Sequence, residues 1–91
     1  MQQIYFNKNL KYLTTNTIIT QSELSRILGI SRQAVFNLIN KNADIRLSTI
    51  IKIAEAYNID ASDLLFLDLE SKFKNQKIAY KITIDYKKND N

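Results

Sequence analysis

Gln21-Ser22-Glu23-Leu24-Ser25-Arg26-Ile27-Leu28-Gly29-Ile30-Ser31-Arg32-Gln33-Ala34-Val35-Phe36-Asn37-Leu38-Ile39-Asn40 is the stretch on which the reading of this chain turns. It holds two short helical patterns separated by the only glycine in the sequence. Thr20 precedes it, and Glu23 stands three residues later, the spacing of a capping box. Leu24, Ile27 and Leu28 give the first pattern an apolar face. Gly29 then stops it, because glycine enters the left-handed conformation at a helix end without a Cβ penalty. Ser31 is placed to cap the second helix, whose stripe is Val35, Leu38 and Ile39. Ser25 is small enough to let the two helices approach closely.

Upstream, residues 4–16 carry Phe6, Leu10 and Leu13 at i, i+4 and i+7, which predicts a helix. Downstream, residues 40–44 read as a loop. A further helix is expected at about 47–57, with Leu47, Ile50, Ile51, Ala54 and Tyr57 facing inward. Asp60 is placed to cap a short fifth helix from Ala61 to about Phe66, with Asp63 in its first turn, where the helix dipole favours an anion. Residues 70–77 read as a polar connector. After it Ile78, Tyr80, Ile82, Ile84 and Tyr86 alternate with Lys77, Ala79, Lys81, Thr83 and Asp85, the period of a strand. The expected fold is therefore mainly α: five helices in residues 1–69, then a basic tail, 70–91, with a C-terminal β-strand at about 77–86.

Composition narrows the chemistry. Ninety-one residues are enough for one modest core. Cys and His are both absent. That removes disulfides, the cysteine nucleophile and the commonest general base, and no metal site is expected. No phosphate-binding loop, dinucleotide fingerprint or catalytic triad is visible, so neither an enzyme nor a cofactor is expected. No apolar run approaches the roughly 18 residues of a membrane span. Met1-Gln2-Gln3-Ile4-Tyr5 lacks the pattern of a secretory signal, and a cytoplasmic location is the default expectation.

Charge is unevenly spread. Residues 1–54 carry seven basic side chains against Glu23 and Asp44, for a net +5. Residues 55–70 hold Glu55, Asp60, Asp63, Asp68 and Glu70 with no base, for −5, and residues 71–91 return to +4. The pattern is that of one face for an anionic partner and one turned away from it.

Residues 21–40 resemble the helix-turn-helix of the phage repressor and Cro-like family. The resemblance continues through Leu47-Ser48-Thr49-Ile50-Ile51-Lys52-Ile53-Ala54-Glu55-Ala56-Tyr57-Asn58-Ile59-Asp60 and covers roughly residues 5–67. It implies a five-helix repressor-like domain in which Leu24, Leu28, Ile30, Val35 and Leu38 pack the helix pair on the core. Many members pair an Arg in the first helix with a Glu late in the recognition helix. The matching positions here are Thr14 and Ile39, so both charges are lost together and neither is left unpaired. Lys41 stands where the family often has Gly, and Ile45 where it often has Pro.

The resemblance also implies a double-stranded DNA partner. A recognition helix over residues 31–40 would lie in the major groove with its N-terminal residues at the base edges. Arg32, Gln33, Phe36 and Asn37 share the face opposite Val35, Leu38 and Ile39. Arg suits a guanine edge, Gln and Asn suit adenine, and Ala34 or Phe36 can meet a thymine methyl group. Gln21 and Ser31, at helix N-termini, and Asn40, Lys41 and Arg46 are the expected phosphate contacts.

The tail carries the expectation about assembly. A lone strand leaves its backbone groups without partners and invites pairing with another chain. Residues 77–86 are expected to pair antiparallel with the same strand of a second subunit, forming a homodimer. The apolar face would rest near Leu65, Phe66, Leu67 and Leu69. Two other arrangements are open: pairing with residues 2–6 of the same chain, or order only on meeting a partner. The functional expectation is a dimeric repressor reading a palindromic operator. The alternative is an antitoxin-type autoregulator that also binds a partner protein through its tail. A protein-interaction module without DNA binding fits less well, having no need of Arg32, Gln33 and Asn37 on one face.

Overall fold

A computed structural model describes residues 4–41 and 45–76. Among these residues six helices follow one another: α1 (Phe6–Asn16), α2 (Gln21–Leu28), α3 (Arg32–Asn40), α4 (Leu47–Tyr57), α5 (Ala61–Phe66) and α6 (Leu69–Gln76). Among the described residues there is no strand. The strand expected at 77–86, with Ile78, Tyr80, Ile82, Ile84 and Tyr86, lies outside them. So do residues 2 and 3 of its proposed intrachain partner and residues 42–44 of the expected loop.

The first five helices arise where the sequence places them. Phe6, Leu10 and Leu13 of α1 are buried, with Leu24 of α2, Val35 and Ile39 of α3, and Leu64 of α5. α2 and α3 pack on each other and on α1, while α5 packs against α1 and α4. Ser25 is buried, as a close α2–α3 approach requires, and its hydroxyl donates to the Ser22 carbonyl.

Several expected core positions face outward instead. On α4 the inward face is Ile50, Ile53, Ala54 and Tyr57. Leu47 is 67% exposed and Ile51 42%. At about 100° per residue, Ile51 falls at the edge of a face centred on Ile50, Ile53, Ala54 and Tyr57, whereas Ile53 falls within it. Burial of Ser25 turns α2 in the same way and leaves Ile27 exposed, and Ile30, in the turn, is exposed too. Asp60 occupies the N-cap position of α5, where its carbonyl accepts from the Leu64 N–H at 3.0 Å but its side chain makes no capping hydrogen bond.

The connector expected at 70–77 is helical as far as Gln76. Its apolar side, Leu69 and Phe73, is buried in the common core, and the Phe73 ring stands 6.0 Å from Tyr12 of α1. Asp68 starts α6: one carboxylate oxygen accepts from the Ser71 N–H at 3.4 Å and the other from the Ser71 hydroxyl at 3.1 Å. Lys8 of α1 also reaches Asp68, at 2.8 Å. The hydrogen bond from the ammonium lowers the Asp68 pKa, and the same bond raises that of Lys8.

Polar side chains fasten α1 to this end of the molecule. Asn9 is fully buried; its Nδ2 donates to the carbonyls of Leu64 (2.8 Å) and Leu67 (2.7 Å), and its Oδ1 accepts from the Leu69 N–H (3.0 Å). One carboxamide thus serves the backbone of the α5–α6 corner with both donors and an acceptor. The Tyr5 N–H donates to the Leu65 carbonyl just ahead of α1. Across the core, the Tyr57 hydroxyl donates to the Ile19 carbonyl at 2.7 Å and so ties α4 to the segment entering α2.

Candidate nucleic-acid interface

Local chemistry fixes both helices of the central motif. The Thr20 hydroxyl accepts from the Glu23 N–H and opens α2. Glu23 then pairs with Arg26 one turn on. Gly29 follows α2 at φ 69°, ψ 32°, and the Ile30 N–H returns to the Ser25 carbonyl. This left-handed residue reverses the chain within one step. Ser31 then caps α3, its hydroxyl accepting from the Ala34 N–H at 3.0 Å.

α3 presents a polar outer face. Val35 and Ile39 are buried against the core, and Ala34 and Leu38 are half-buried beside them. On the other side Arg32, Gln33, Phe36 and Asn40 are exposed and Asn37 is half-exposed. Phe36 is 47% exposed, in the middle of that polar surface. Gln33 Nε2 donates to Asn37 Oδ1 at 3.2 Å, and Asn40 Nδ2 donates to the Phe36 carbonyl at 3.0 Å. The five expected base-reading positions therefore share one helix, with Ala34 at the edge of the exposed face.

The expected phosphate contacts frame this helix. Gln21 is the first residue of α2 and Ser31 the cap of α3. Asn40 closes α3, Lys41 follows it, and Arg46 stands at the N-cap position of α4 without a side-chain capping bond; all three are exposed. Lys41 lies at φ −126°, ψ 145°, an extended backbone that any residue adopts, so its side chain brings no strain where the family often has Gly. Ile45 is half-buried against the core.

The two positions of the lost charge pair are both buried. Thr14 donates its hydroxyl to the Leu10 carbonyl of its own helix at 2.9 Å, and Ile39 is apolar. The link from α1 to the end of α3 comes instead from Asn7, which sequence reasoning missed. Its Nδ2 donates to the Leu38 carbonyl at 2.6 Å and to that of Lys41 at 3.4 Å.

The acidic stretch is carried by other elements. Glu55, Asp60 and Asp63, with Lys72, line an open cleft between α4, α5 and α6. Among the described residues no group of His, Cys, Asp or Glu converges to hold a metal ion. No helix of the described residues is long and apolar enough to cross a membrane. Of the expected dimer contacts, Phe66 is exposed, Leu65 and Leu67 are half-buried, and Leu69 is buried within its own core.

A helix-turn-helix family model matches residues 16–64, from the last residue of α1 into α5. No curated protein and no solved structure matches the chain. The matched span takes in more than half of the 91 residues and the whole of the capped α2–turn–α3 unit. The chain belongs to the phage repressor/Cro-like helix-turn-helix family of DNA-binding transcriptional regulators.

Proposed function

We propose that this regulator is a dimeric repressor that reads a palindromic operator through the major groove. The observation that carries the reading is the outer face of α3, where Arg32, Gln33 and Phe36 are exposed on a helix held by the Ser31 cap and by Asn7. Arg32 takes a guanine edge; Gln33 and Asn37 take adenine; Ala34 and Phe36 meet thymine methyl groups. Gln21, Ser31, Asn40, Lys41 and Arg46 hold phosphates on either side and set the register.

Dimerisation is assigned to residues 77–86. Their alternating apolar side, Ile78, Tyr80, Ile82, Ile84 and Tyr86, pairs with its copy across a two-fold axis. In this reading it would rest near Phe66, which is exposed, and Leu65 and Leu67, which are half-buried. Two recognition helices held about 34 Å apart then read successive half-sites on one side of the duplex.

The test has two arms. Selection from a randomised duplex pool should enrich a palindrome with half-sites one helical turn apart. Truncation after Gln76 keeps α6 and its buried Leu69 and Phe73. The shortened chain should be monomeric by light scattering and bind the palindrome no better than an isolated half-site. A truncated chain that remains dimeric at micromolar concentration, with unchanged operator affinity, sinks the role of the tail.

A further inference from the structure

We propose that Asn7 of α1 is a positioning residue for the DNA-reading face, holding the C-terminal end of α3 and the residue just beyond it. The proposal rests on the assignment of α3 as the recognition helix.

The carboxamide NH2 has two donors, and both point at this end of α3. One reaches the Leu38 carbonyl at 2.6 Å and the other the Lys41 carbonyl at 3.4 Å, across 31 and 34 residues of sequence. Leu38 is among the last four residues of α3, whose carbonyls find no partner within the helix. Ends of this kind fray unless something outside the helix satisfies them.

Asn7 stands on a fixed base. Tyr5, two residues before it, donates its N–H to Leu65, and Asn9, two residues after it, is clamped to Leu64, Leu67 and Leu69. The position of the core is thereby passed to the last turn of α3. That turn ends in Asn40, with Lys41 next, and both are assigned to phosphates. Their distance from Arg32 and Gln33 sets where the readers fall on the base edges. Asn7 itself touches no base in this arrangement. Binding to a cognate site, which depends on register, needs the tether; binding to arbitrary sequence, driven by charge, does not.

The test uses the full chain and the duplex that the wild-type protein enriches from a randomised pool. Asn7→Leu removes both donors, keeps side-chain size and net charge, and favours helix more than Asn does, so α1 remains intact. Affinity for the enriched duplex should fall about five- to tenfold. Affinity for a non-cognate duplex should stay within about twofold. The carbonyl carbon resonances of Leu38 and Lys41 should move while those of α4 stay in place. Asn7→Gln, with the same amide on a longer stem, should recover most of the loss. Wild-type affinity in Asn7→Leu, or equal losses on both duplexes, overturns the proposal and leaves the DNA assignment standing. A wild-type chain that enriches no duplex overturns that assignment and this role with it, even with the tether visible in the resonances.

Discussion

The Oδ1 of Asn9 accepts from the Leu69 N–H at 3.0 Å, with Asn9 0% and Leu69 1% exposed, so a buried amide of α1 caps the start of α6. Replacing Asn9 by Leu fills the same space and leaves the Leu64 and Leu67 carbonyls and the Leu69 N–H without this partner. Each buried orphan costs about 1–3 kcal/mol. With three such groups, Asn9→Leu should therefore lose about 3 kcal/mol or more in urea unfolding, a large share of what a domain of this size has. A loss below about 0.5 kcal/mol would show that water or a rearranged backbone serves these groups as well.

The helix-turn-helix should separate reading from holding. Arg32→Ala and Gln33→Ala should each weaken operator binding by about 1–3 kcal/mol and relax preference at one base pair per half-site. Lys41→Ala should weaken cognate and random duplexes alike and reduce the salt slope by about one. Titrations at several salt concentrations distinguish the two. An identical, uniform loss from Arg32→Ala and Lys41→Ala would sink the division of labour.

Gly29 offers a backbone test free of sterics. A Cβ built there meets nothing within 4 Å, yet φ is +69°. Gly29→Ala should cost about 1–2 kcal/mol through conformation alone. Gly29→Asn should cost less, since Asn tolerates the left-handed region, as Asn58 already does at φ 58° after α4. If the two substitutions proved equally harmful, something other than φ would be limiting the turn.

The Lys8–Asp68 pair gives a pH window. The Asp68 pKa is lowered in the fold, so its contribution is present above the unfolded value near 4 and is lost as pH falls through the folded one. The Lys8 pKa is raised, so its contribution is present below the unfolded value near 10.5 and lost as pH rises through the folded one. The stability gap between wild type and Lys8→Met should be a plateau between these limits that closes at both ends and shrinks with added salt. Half of the Lys8 side chain is exposed, so the plateau should be low. A gap that widened in acid would contradict the assignment.

The sequence made the centre of the molecule legible because three independent local signals agreed there. Thr20, Gly29 and Ser31 each had a position whose geometry few other residues suit, and all three occupy it. The end at α6 was illegible for the opposite reason. Leu69 and Phe73 are a single i, i+4 pair in a polar run, too short to announce a period. On α4 a run of apolar residues carried more candidates than one face can hold, and only packing chose Ile53 over Leu47 and Ile51. At the interface the exposed face of α3 followed from periodicity, but Asn7 did not. Its one local trace is two asparagines, poor helix formers, within the first four residues of α1. A residue that works against its own helix marks a tertiary demand, though not its partner.

The hydrogen bond between Gln33 and Asn37 bears on the thermodynamics of recognition. Long polar side chains lose rotational freedom on meeting DNA, at about 0.5–1.5 kcal/mol for each one immobilised. Here Gln33 and Asn37, the two side chains proposed to read adenine, are one turn apart and already hold each other at 3.2 Å in the free protein. The Gln33 amide that donates to Asn37 keeps a second N–H and its own carbonyl for an adenine edge, which asks for one donor and one acceptor. The face is thus partly frozen in a state that can still bind. The entropic penalty of association should therefore be smaller by part of the cost of ordering these two side chains, and stripping water from Phe36 between them should show as a negative heat-capacity change.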